Sequence, residues 1–156
     1  MKIYVASSWR NEYQQTIVKK LREQGHKVYD FKNPEPGNNG FSWREISPNW
    51  QQWSVEEFQN GIKHPIARDG FRKDETAIRE CDIVILVLPC GKSAHLEAGF
   101  AVGTGKKVFA LIPEKIEPEL MYSWFDEIYD DFGEMLEDMR NLENAEWMTQ
   151  SYRDFV

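Results

Sequence analysis

The run Asp82 to Leu88 restricts the fold most, because six large aliphatic residues, Ile-Val-Ile-Leu-Val-Leu, follow its aspartate without interruption. Successive side chains of a strand point to opposite faces, so a strand of this composition is apolar on both faces. Such strands occur in parallel sheets that helices cover on both sides. The run therefore predicts the central strand of an α/β protein.

The remaining hydrophobic pattern alternates between strand and helix. Strands are predicted at Lys2 to Ala6, Lys27 to Phe31 and Lys107 to Ile112, and helices at Asn11 to Gln24, Arg68 to Glu80, Ala94 to Val102 and Asp131 to Leu142. The tail from Asn144 is predicted to dock through Trp147 and Phe155. A chain of 156 residues holds one sizeable core. We therefore expect a single-domain, doubly wound, flavodoxin-like parallel sheet of about five strands with helices on both faces.

A tryptophan-rich insertion interrupts this alternation at about residues 33–66. Its prolines and glycines at 33–40 predict a loop, and Trp43, Trp50 and Trp53 follow without a helical or strand period. Two interpretations stay open for these rings. They form a lid that stacks on a ligand, with Trp43 as a substrate-binding residue, or they form a satellite hydrophobic cluster under a long loop.

Charge and composition exclude several classes of partner. The formal net charge of −7 repels nucleic-acid strands and anionic membranes, so a small-molecule substrate is favoured. Only Cys81 and Cys90 are present, and no apolar stretch approaches the roughly 18 residues of a membrane helix, so we expect a reduced, cytoplasmic protein. The histidines lack ligand spacing, which predicts no metal site. No cofactor is predicted either, because Leu86 stands where a phosphate-binding loop ending at Gly91-Lys92-Ser93 requires glycine.

The predicted topology directs attention to two loops. Ligands of doubly wound sheets bind beyond the carboxyl ends of the strands where the strand order reverses. Here that rule indicates Ser7 to Arg10 and Pro89 to Ser93. Ser93 is also a plausible N-cap of the helix that follows, and Cys90 and His95 flank the same turn as one possible thiol–imidazole nucleophile.

Two carboxylates near this crevice are candidates for glycoside chemistry. Glu97 is predicted at about the first turn of its helix, where the helix dipole favours the ionised state that attack on an anomeric carbon requires. Asp74, on the preceding helix, would complete the pair of carboxyls, roughly 5 Å apart, that retaining glycoside chemistry uses. The alternatives are a first-turn acid that merely complements the dipole and a solvated helix residue.

Four segments together resemble a known enzyme family, in the same order. They are Ile3 to Trp9, Asp74 to Ile78 with Cys81 to Val84, Leu96 to Ala101 with Gly105 to Val108, and Glu119 to Met121. The family is that of the nucleoside 2-deoxyribosyltransferases, which also includes deoxynucleoside-monophosphate N-hydrolases. The resemblance runs from Ile3 to about Tyr122 and aligns poorly only across the insertion.

The resemblance implies roles for individual residues. Glu97 matches the nucleophile that attacks the sugar, and Asp74 matches the acid that handles the proton on the base. Tyr4 matches a tyrosine that supports the nucleophile. Ser7 and Trp9 match residues that line the base pocket. The expected reaction is cleavage of a nucleoside through a glycosyl-enzyme intermediate and transfer of the deoxyribosyl group to another nucleobase.

Two departures from the family pattern bear on the substrate. The transferases hold the sugar hydroxyls with an aspartate before the nucleophile, whereas this chain has Cys90 to Ser93 there. A lysine, a serine and free backbone N–H groups at a helix start favour an anion. Gly91, Ser93 and His95 are therefore predicted to bind substrate, and a 5′-monophosphate N-hydrolase is the alternative activity.

The second departure concerns the segment Glu119 to Met121, where glutamate replaces asparagine of an Asn-Leu-Met segment. In the family that segment reaches the neighbouring subunit's active site, so the resemblance implies a homo-oligomer with shared sites, in which Glu119 and Met121 contact substrate. Two further alternatives stay open. They are cleavage of the nicotinamide–ribose bond of NAD, and a non-catalytic nucleotide-binding or signalling module related to Toll/interleukin-receptor-type domains.

Overall fold

The computed structural model describes the backbone of residues 1–153 and the side chains of residues 1–146. One sheet contains β1 (Lys2–Ala6), β2 (Lys27–Tyr29), β3 (Ile83–Val87), β4 (Lys107–Leu111) and β5 (Glu127–Tyr129). The strand order is β2-β1-β3-β4-β5, and every neighbouring pair is parallel. The predicted doubly wound, flavodoxin-like sheet is therefore confirmed.

Helices cover both faces of the sheet. They are α1 (Gln14–Glu23), α2 (Val55–Lys63), α3 (Pro65–Glu80), α4 (Lys92–Gly103) and α5 (Phe132–Arg153). One core joins α1 and α5 to the sheet, and a second core joins α3 and α4 to the opposite face. Across residues 1–153, none of the helices has the length and the apolar run that crossing a bilayer requires.

The alternation of β1 distributes its side chains between the two cores. Ile3 and Val5 pack in the core under α1 and α5, whereas Tyr4 and Ala6 pack in the core under α3 and α4. The second core is lined on α4 by alanines, which are small enough to bring that helix close to the strands. Tyr4 is thereby buried directly beneath the two helices that carry the candidate carboxylates.

The insertion contains more regular structure than its sequence pattern predicted. Residues 41–66 include two short 3-10 turns, Trp43–Glu45 and Trp50–Gln52, and the whole of α2. A capping box starts α2, because the Ser54 hydroxyl accepts the Glu57 N–H and the Glu57 carboxylate accepts the Ser54 N–H. The tryptophans that precede α2 obscure its helical period in the sequence. The tail is predicted to dock through Trp147 and Phe155, and both lie outside the residues whose side chains the structure describes.

The insertion rings pack mainly against one another. The Trp43 ring lies edge-on to Phe41, Trp53 and Phe58, with ring centroids 4.8, 5.6 and 6.1 Å away. Gly61 of α2 faces Trp53, so that a Cβ at this position would lie 2.5 Å from the indole ring. The arrangement is that of a satellite hydrophobic cluster.

This close approach makes Gly61→Ala destabilising although alanine favours helices. The added methyl must displace Trp53, and we expect a loss of roughly 1–3 kcal/mol of unfolding free energy, as overpacking does. Gly99→Ala is the matched control, because Gly99 also lies within a helix but has no other group within 4 Å of the place that an added methyl would take. The unfolding free energy of Gly99→Ala should rise by up to about 1 kcal/mol. Urea unfolding of both variants tests this, and a stabilised Gly61→Ala would contradict it.

Candidate active site

The crevice forms where the loops after β1 and β3 meet. The Ser7 hydroxyl donates to the Val87 carbonyl at 2.8 Å, and the Asn11 amide donates to the Pro89 carbonyl at 3.0 Å. Both side chains are buried. These bonds join the carboxyl ends of two adjacent strands at the point where the chain order reverses, as the sequence predicted.

Glu97 enters this crevice from α4. The helix begins at Lys92, so Glu97 lies in its second turn instead of its first. Ala94, Ala98 and Ala101 are fully buried on the face that packs against the sheet. Glu97 is three residues after Ala94 and four before Ala101, a spacing that places it on that same face. A partly exposed carboxylate therefore lies at the edge of an alanine-lined contact between helix and sheet.

The pKa of Glu97 is raised from its ordinary 4.5 to about 7. Burial is the main cause, and the neighbouring charge of Asp74 adds to it. Burial and the charge of Asp74 therefore oppose the helix dipole, which favours the ionised group. The nearby charge of Asp74 thus opposes ionisation of Glu97.

Asp74 reaches the same space from α3. On that helix Ala67 and Ile78 are buried, and Asp74 shares their face because it follows Ala67 by seven residues and precedes Ile78 by four. Burial raises the pKa of Asp74, while a hydrogen bond from Tyr29 opposes the shift. That bond joins the Tyr29 hydroxyl to Oδ1 of Asp74 at 2.8 Å.

Tyr4 lies beneath both carboxylates. Its side chain is fully buried, and its hydroxyl has no hydrogen-bond partner among the residues with described side chains. Burial raises the pKa of Tyr4, and the charges of Glu97 and Asp74 raise it further. The hydroxyl is close enough to Glu97 to moderate the pKa of that carboxyl, although the geometry between the two groups is not that of a formed hydrogen bond. Tyr4 is thus an uncommitted donor next to Glu97.

The raised pKa of Glu97 predicts a pH-dependent cost in stability. Between pH 4.5 and about 7 the folded protein keeps a proton that the unfolded chain has lost, so the unfolding free energy falls as the pH rises through this window. Glu97→Gln removes the charge. We expect the variant to be more stable than the wild type by roughly 2–3 kcal/mol above about pH 8, and nearly equal below about pH 5.

Urea unfolding at both pH values measures this difference. Glu80→Gln is the control, since Glu80 is an exposed residue at the end of α3. A Glu97→Gln variant that showed the same stability difference from wild type at both pH values would contradict the account of a carboxyl whose pKa is raised in the folded protein.

His95 links the start of α4 to Tyr122. Its Nδ1 lies 2.7 Å from the Gly91 carbonyl, and its Nε2 lies 2.7 Å from the Tyr122 hydroxyl. A carbonyl can only accept, so Nδ1 carries the proton and Nε2 accepts from Tyr122. Cys90 Sγ is 3.7 Å from Nδ1, which has no lone pair left for the thiol. Burial and the charge of Glu97 raise the pKa of Cys90 to about 12. Cys90 therefore does not supply the thiolate that the thiol–imidazole alternative requires.

The start of α4 faces solvent beside this histidine. Gly91 is the N-cap and has no side chain to cap the helix, so the prediction of Ser93 as N-cap is wrong. Gly91, Lys92 and Ser93 are all exposed. On the far side of Tyr122, the Glu119 carboxylate accepts the Met121 N–H at 3.0 Å and starts a 3-10 turn at Leu120–Trp124.

The predicted aromatic residues occupy different places. Trp9, in the loop after β1, is 53% exposed and lies edge-on to Phe31. Gly40 has a positive φ of 78°, and a Cβ there would lie 2.9 Å from the Trp9 ring. Only glycine therefore lets this part of the insertion approach Trp9 so closely. Trp43, by contrast, contacts the aromatic cluster of the insertion, and its contact with substrate stays a prediction.

The structure thus brings Tyr4, Asp74 and Glu97 together and adds Tyr29, which the sequence did not single out. Tyr29 has no local signal, but it pairs with Tyr4 in the register of β1 and β2. Among residues 1–146, no three acidic, histidine or cysteine side chains cluster as metal ligands would. Two half-buried carboxyls with tyrosine hydroxyls beside them are a set suited to nucleophilic and acid–base chemistry.

Comparison with known proteins finds solved structures that are similar to this chain. No family model and no curated protein sequence matches the chain. A 2-deoxyribosyltransferase from the psychrotolerant bacterium Bacillus psychrosaccharolyticus is 25% identical, with a TM-score of 0.53 over 86% of this chain and 90% of that chain. A CMP N-glycosidase of Clostridium botulinum is 19% identical, with a TM-score of 0.48 over 90% of this chain and 99% of that chain.

Proposed function

Since the chain belongs to the nucleoside 2-deoxyribosyltransferase family, we propose that it cleaves the N-glycosidic bond of a 2′-deoxynucleoside and transfers the deoxyribosyl group to another nucleobase. Glu97 is the proposed nucleophile and Asp74 the proposed acid and base. The observation that carries this proposal is the pair itself, because the charge of Asp74 helps to raise the pKa of Glu97 to about 7. Both carboxyls also adjoin the stacked rings of Tyr4 and Tyr29, because Tyr29 donates to Asp74 at 2.8 Å and Tyr4 and Glu97 shift each other's pKa.

In the first step, ionised Glu97 attacks C1′ as the C–N bond breaks. The bonding electrons leave with the base, and Asp74 delivers a proton to the base nitrogen. The product is a glycosyl ester of Glu97. Tyr4 supports this step, because donation from its hydroxyl favours the ionised carboxylate over the protonated one.

In the second step, an incoming base attacks C1′ and displaces Glu97. Asp74 takes the proton that the incoming nitrogen releases, and two inversions restore the original configuration. The exposed Trp9 ring offers a flat surface on which either base stacks. Transfer requires that the incoming base occupy the crevice ahead of water.

A second candidate activity is hydrolysis of a 2′-deoxynucleoside 5′-monophosphate. The uncapped start of α4 favours it, because Gly91, Lys92 and Ser93 are exposed next to the crevice. Free N–H groups, a lysine and a hydroxyl at a helix start suit a phosphate. In that case water replaces the second base.

We also propose a homo-oligomer whose neighbouring subunit contacts the substrate. The turn after Glu119 supports it, since Leu120, Met121 and Trp124 are 80%, 45% and 62% exposed. Three large apolar side chains on one short turn favour a protein contact. Sedimentation velocity of the intact chain tests this proposal, and a monomer at all concentrations would contradict it.

Chromatography of reaction products tests the proposed activity. The protein is incubated with deoxyadenosine plus cytosine, with each deoxynucleoside monophosphate alone, and with NAD. Exchange of the base supports the transferase, and free base with deoxyribose 5-phosphate supports the N-hydrolase. Release of nicotinamide from NAD, or tight nucleotide binding without turnover, would contradict both.

A further inference from the structure

Tyr29 is held rigidly at the carboxyl end of β2. Its ring stacks on the ring of Tyr4, with centroids 5.2 Å apart and planes 14° apart. The two residues are paired in the strand register, and the Tyr4 ring is fully buried. The direction of the Tyr29 hydroxyl is therefore fixed by the sheet itself.

The Tyr29 hydroxyl contacts one oxygen of Asp74. The Tyr29 hydroxyl donates to Oδ1 at 2.8 Å. A protonated carboxyl carries one hydrogen, and the oxygen that already accepts a hydrogen bond acts as its carbonyl-like oxygen. The acidic hydrogen of Asp74 therefore resides on Oδ2.

The charges around this bond keep Tyr29 neutral. Burial is the main cause that raises the pKa of Tyr29, and the charges of Asp74, Glu35 and Glu97 raise it further. Glu35 is itself paired with Lys73 at 3.2 Å, and Lys73 also pairs with Asp69 at 3.1 Å. Tyr4 faces Tyr29 from β1, and its pKa is also raised. Tyr29 is therefore a donor and takes no part as an acid or a base.

We propose that Tyr29 is a positioning residue that orients Asp74 and assigns Oδ2 as the oxygen that exchanges the proton with the nucleobase. This inference rests on the proposed function. When Oδ2 gives its hydrogen to the departing base, Asp74 becomes a carboxylate and the bond from Tyr29 becomes charge-assisted, hence stronger. Tyr29 thereby favours the transition state over the ground state.

Tyr29→Phe tests the proposal, because it keeps the stacked ring and removes only the hydroxyl. For a deoxynucleoside whose base leaves as it accepts a proton, we expect kcat to fall roughly 10- to 100-fold, as loss of a hydrogen bond to a charged group implies. For a matched substrate whose base needs no proton, kcat should stay unchanged. Suitable bases are an N7-methylated purine or a 5-fluorinated pyrimidine.

Tyr129→Phe is the matched control. Tyr129 also ends a strand, β5, and its hydroxyl donates to Asp138 of α5 at 2.9 Å. It belongs to the core on the opposite face of the sheet. Its substitution should leave the kcat for both substrates unchanged. Equal losses for both substrates in Tyr29→Phe would overturn the proposal, because a general distortion of the site affects them alike.

The pH profile supplies a second readout. Burial raises the pKa of Asp74 and the bond from Tyr29 lowers it, so Tyr29→Phe should move the alkaline limb of kcat to higher pH while the plateau falls. If Tyr29→Phe fails to fold, replacement of Tyr29 by 3-fluorotyrosine keeps the hydroxyl and makes it a stronger donor. The limb should then move to lower pH, and an unmoved limb would contradict the proposal.

A titration without substrate separates this inference from the proposed function. Carbon-13 NMR of the carboxyl groups reports the pKa of Asp74 in wild type and in Tyr29→Phe. A wild type that cleaves no deoxynucleoside would refute the proposed function, whereas the NMR shift would still show whether Tyr29 controls Asp74. An active wild type with the same Asp74 pKa in both proteins would refute the role of Tyr29 alone.

Discussion

Glu97→Gln is expected to abolish cleavage of deoxynucleosides, with a loss of at least about a thousandfold in kcat. Glutamine has the shape of glutamate but cannot form the glycosyl ester, so the covalent route is closed. The loss cannot be ascribed to unfolding, because the same substitution relieves a buried charge and should stabilise the protein at alkaline pH. Release of free base by purified variant and wild type measures the effect.

A companion variant distinguishes a nucleophile from a residue that only shapes the crevice. Glu97→Ala leaves space for a small anion, and added azide should restore turnover and give a glycosyl azide of inverted configuration, since one displacement replaces two. Glu80→Gln should retain the wild-type rate. A Glu97→Gln variant with wild-type turnover would contradict the proposed mechanism.

Asp74→Asn is expected to lower kcat by about a hundred- to ten-thousandfold for bases that leave as they accept a proton. Asparagine keeps the acceptor for the Tyr29 hydroxyl but carries no acidic hydrogen. Substrates with N7-methylated or 5-fluorinated bases should lose far less. Steady-state kinetics with both substrate types measures the difference.

The control for Asp74→Asn is Asp69→Asn on the same helix. Asp69 is partly exposed and pairs with Arg72 and Lys73. Its substitution should therefore leave kcat close to the wild-type value, as most surface substitutions do. An Asp74→Asn variant whose kcat fell equally for both substrate types would show that Asp74 holds the substrate and does not transfer the proton.

The sequence predicted those parts of the site that depend on local periodicity. The aliphatic run at β3 marked the centre of the sheet, and the reversal of strand order next to it located the crevice. The spacing of Ala94, Ala98 and Ala101 also carries a signal, because these small residues define the buried face of α4 on which Glu97 lies. Asp74 shares a face with Ala67 and Ile78 in the same way.

Other features depend on contacts that a single sequence does not display. Tyr29 joins the site only because β2 pairs with β1 in a particular register, and β2 itself has just three residues. The length of α2 was hidden because the aromatic residues before it obscure the helical period, although the Ser54 to Glu57 capping box was present. Trp43 carries no mark that separates a lid from a packed cluster.

The protonation of Glu97 shows how magnitudes decide between two opposing effects. A helix dipole contributes about 0.3–1 kcal/mol to a nearby carboxylate and declines beyond the first turn. Glu97 lies in the second turn, and a pKa moved from 4.5 to about 7 reflects a larger cost of burial and like charge. Sequence position revealed the dipole, whereas only the packed structure revealed the burial.

The covalent glycosyl ester on Glu97 is the central claim, and trapping it is the most direct test. A 2′-deoxy-2′-fluoroarabinosyl nucleoside slows both steps, because fluorine at C2′ opposes positive charge at C1′, so the intermediate should accumulate. After digestion, mass spectrometry should find the fluorinated sugar on the peptide that contains Glu97, and find none in Glu97→Gln. Release of base without an adduct on Glu97, or an adduct on a different residue, would contradict the account.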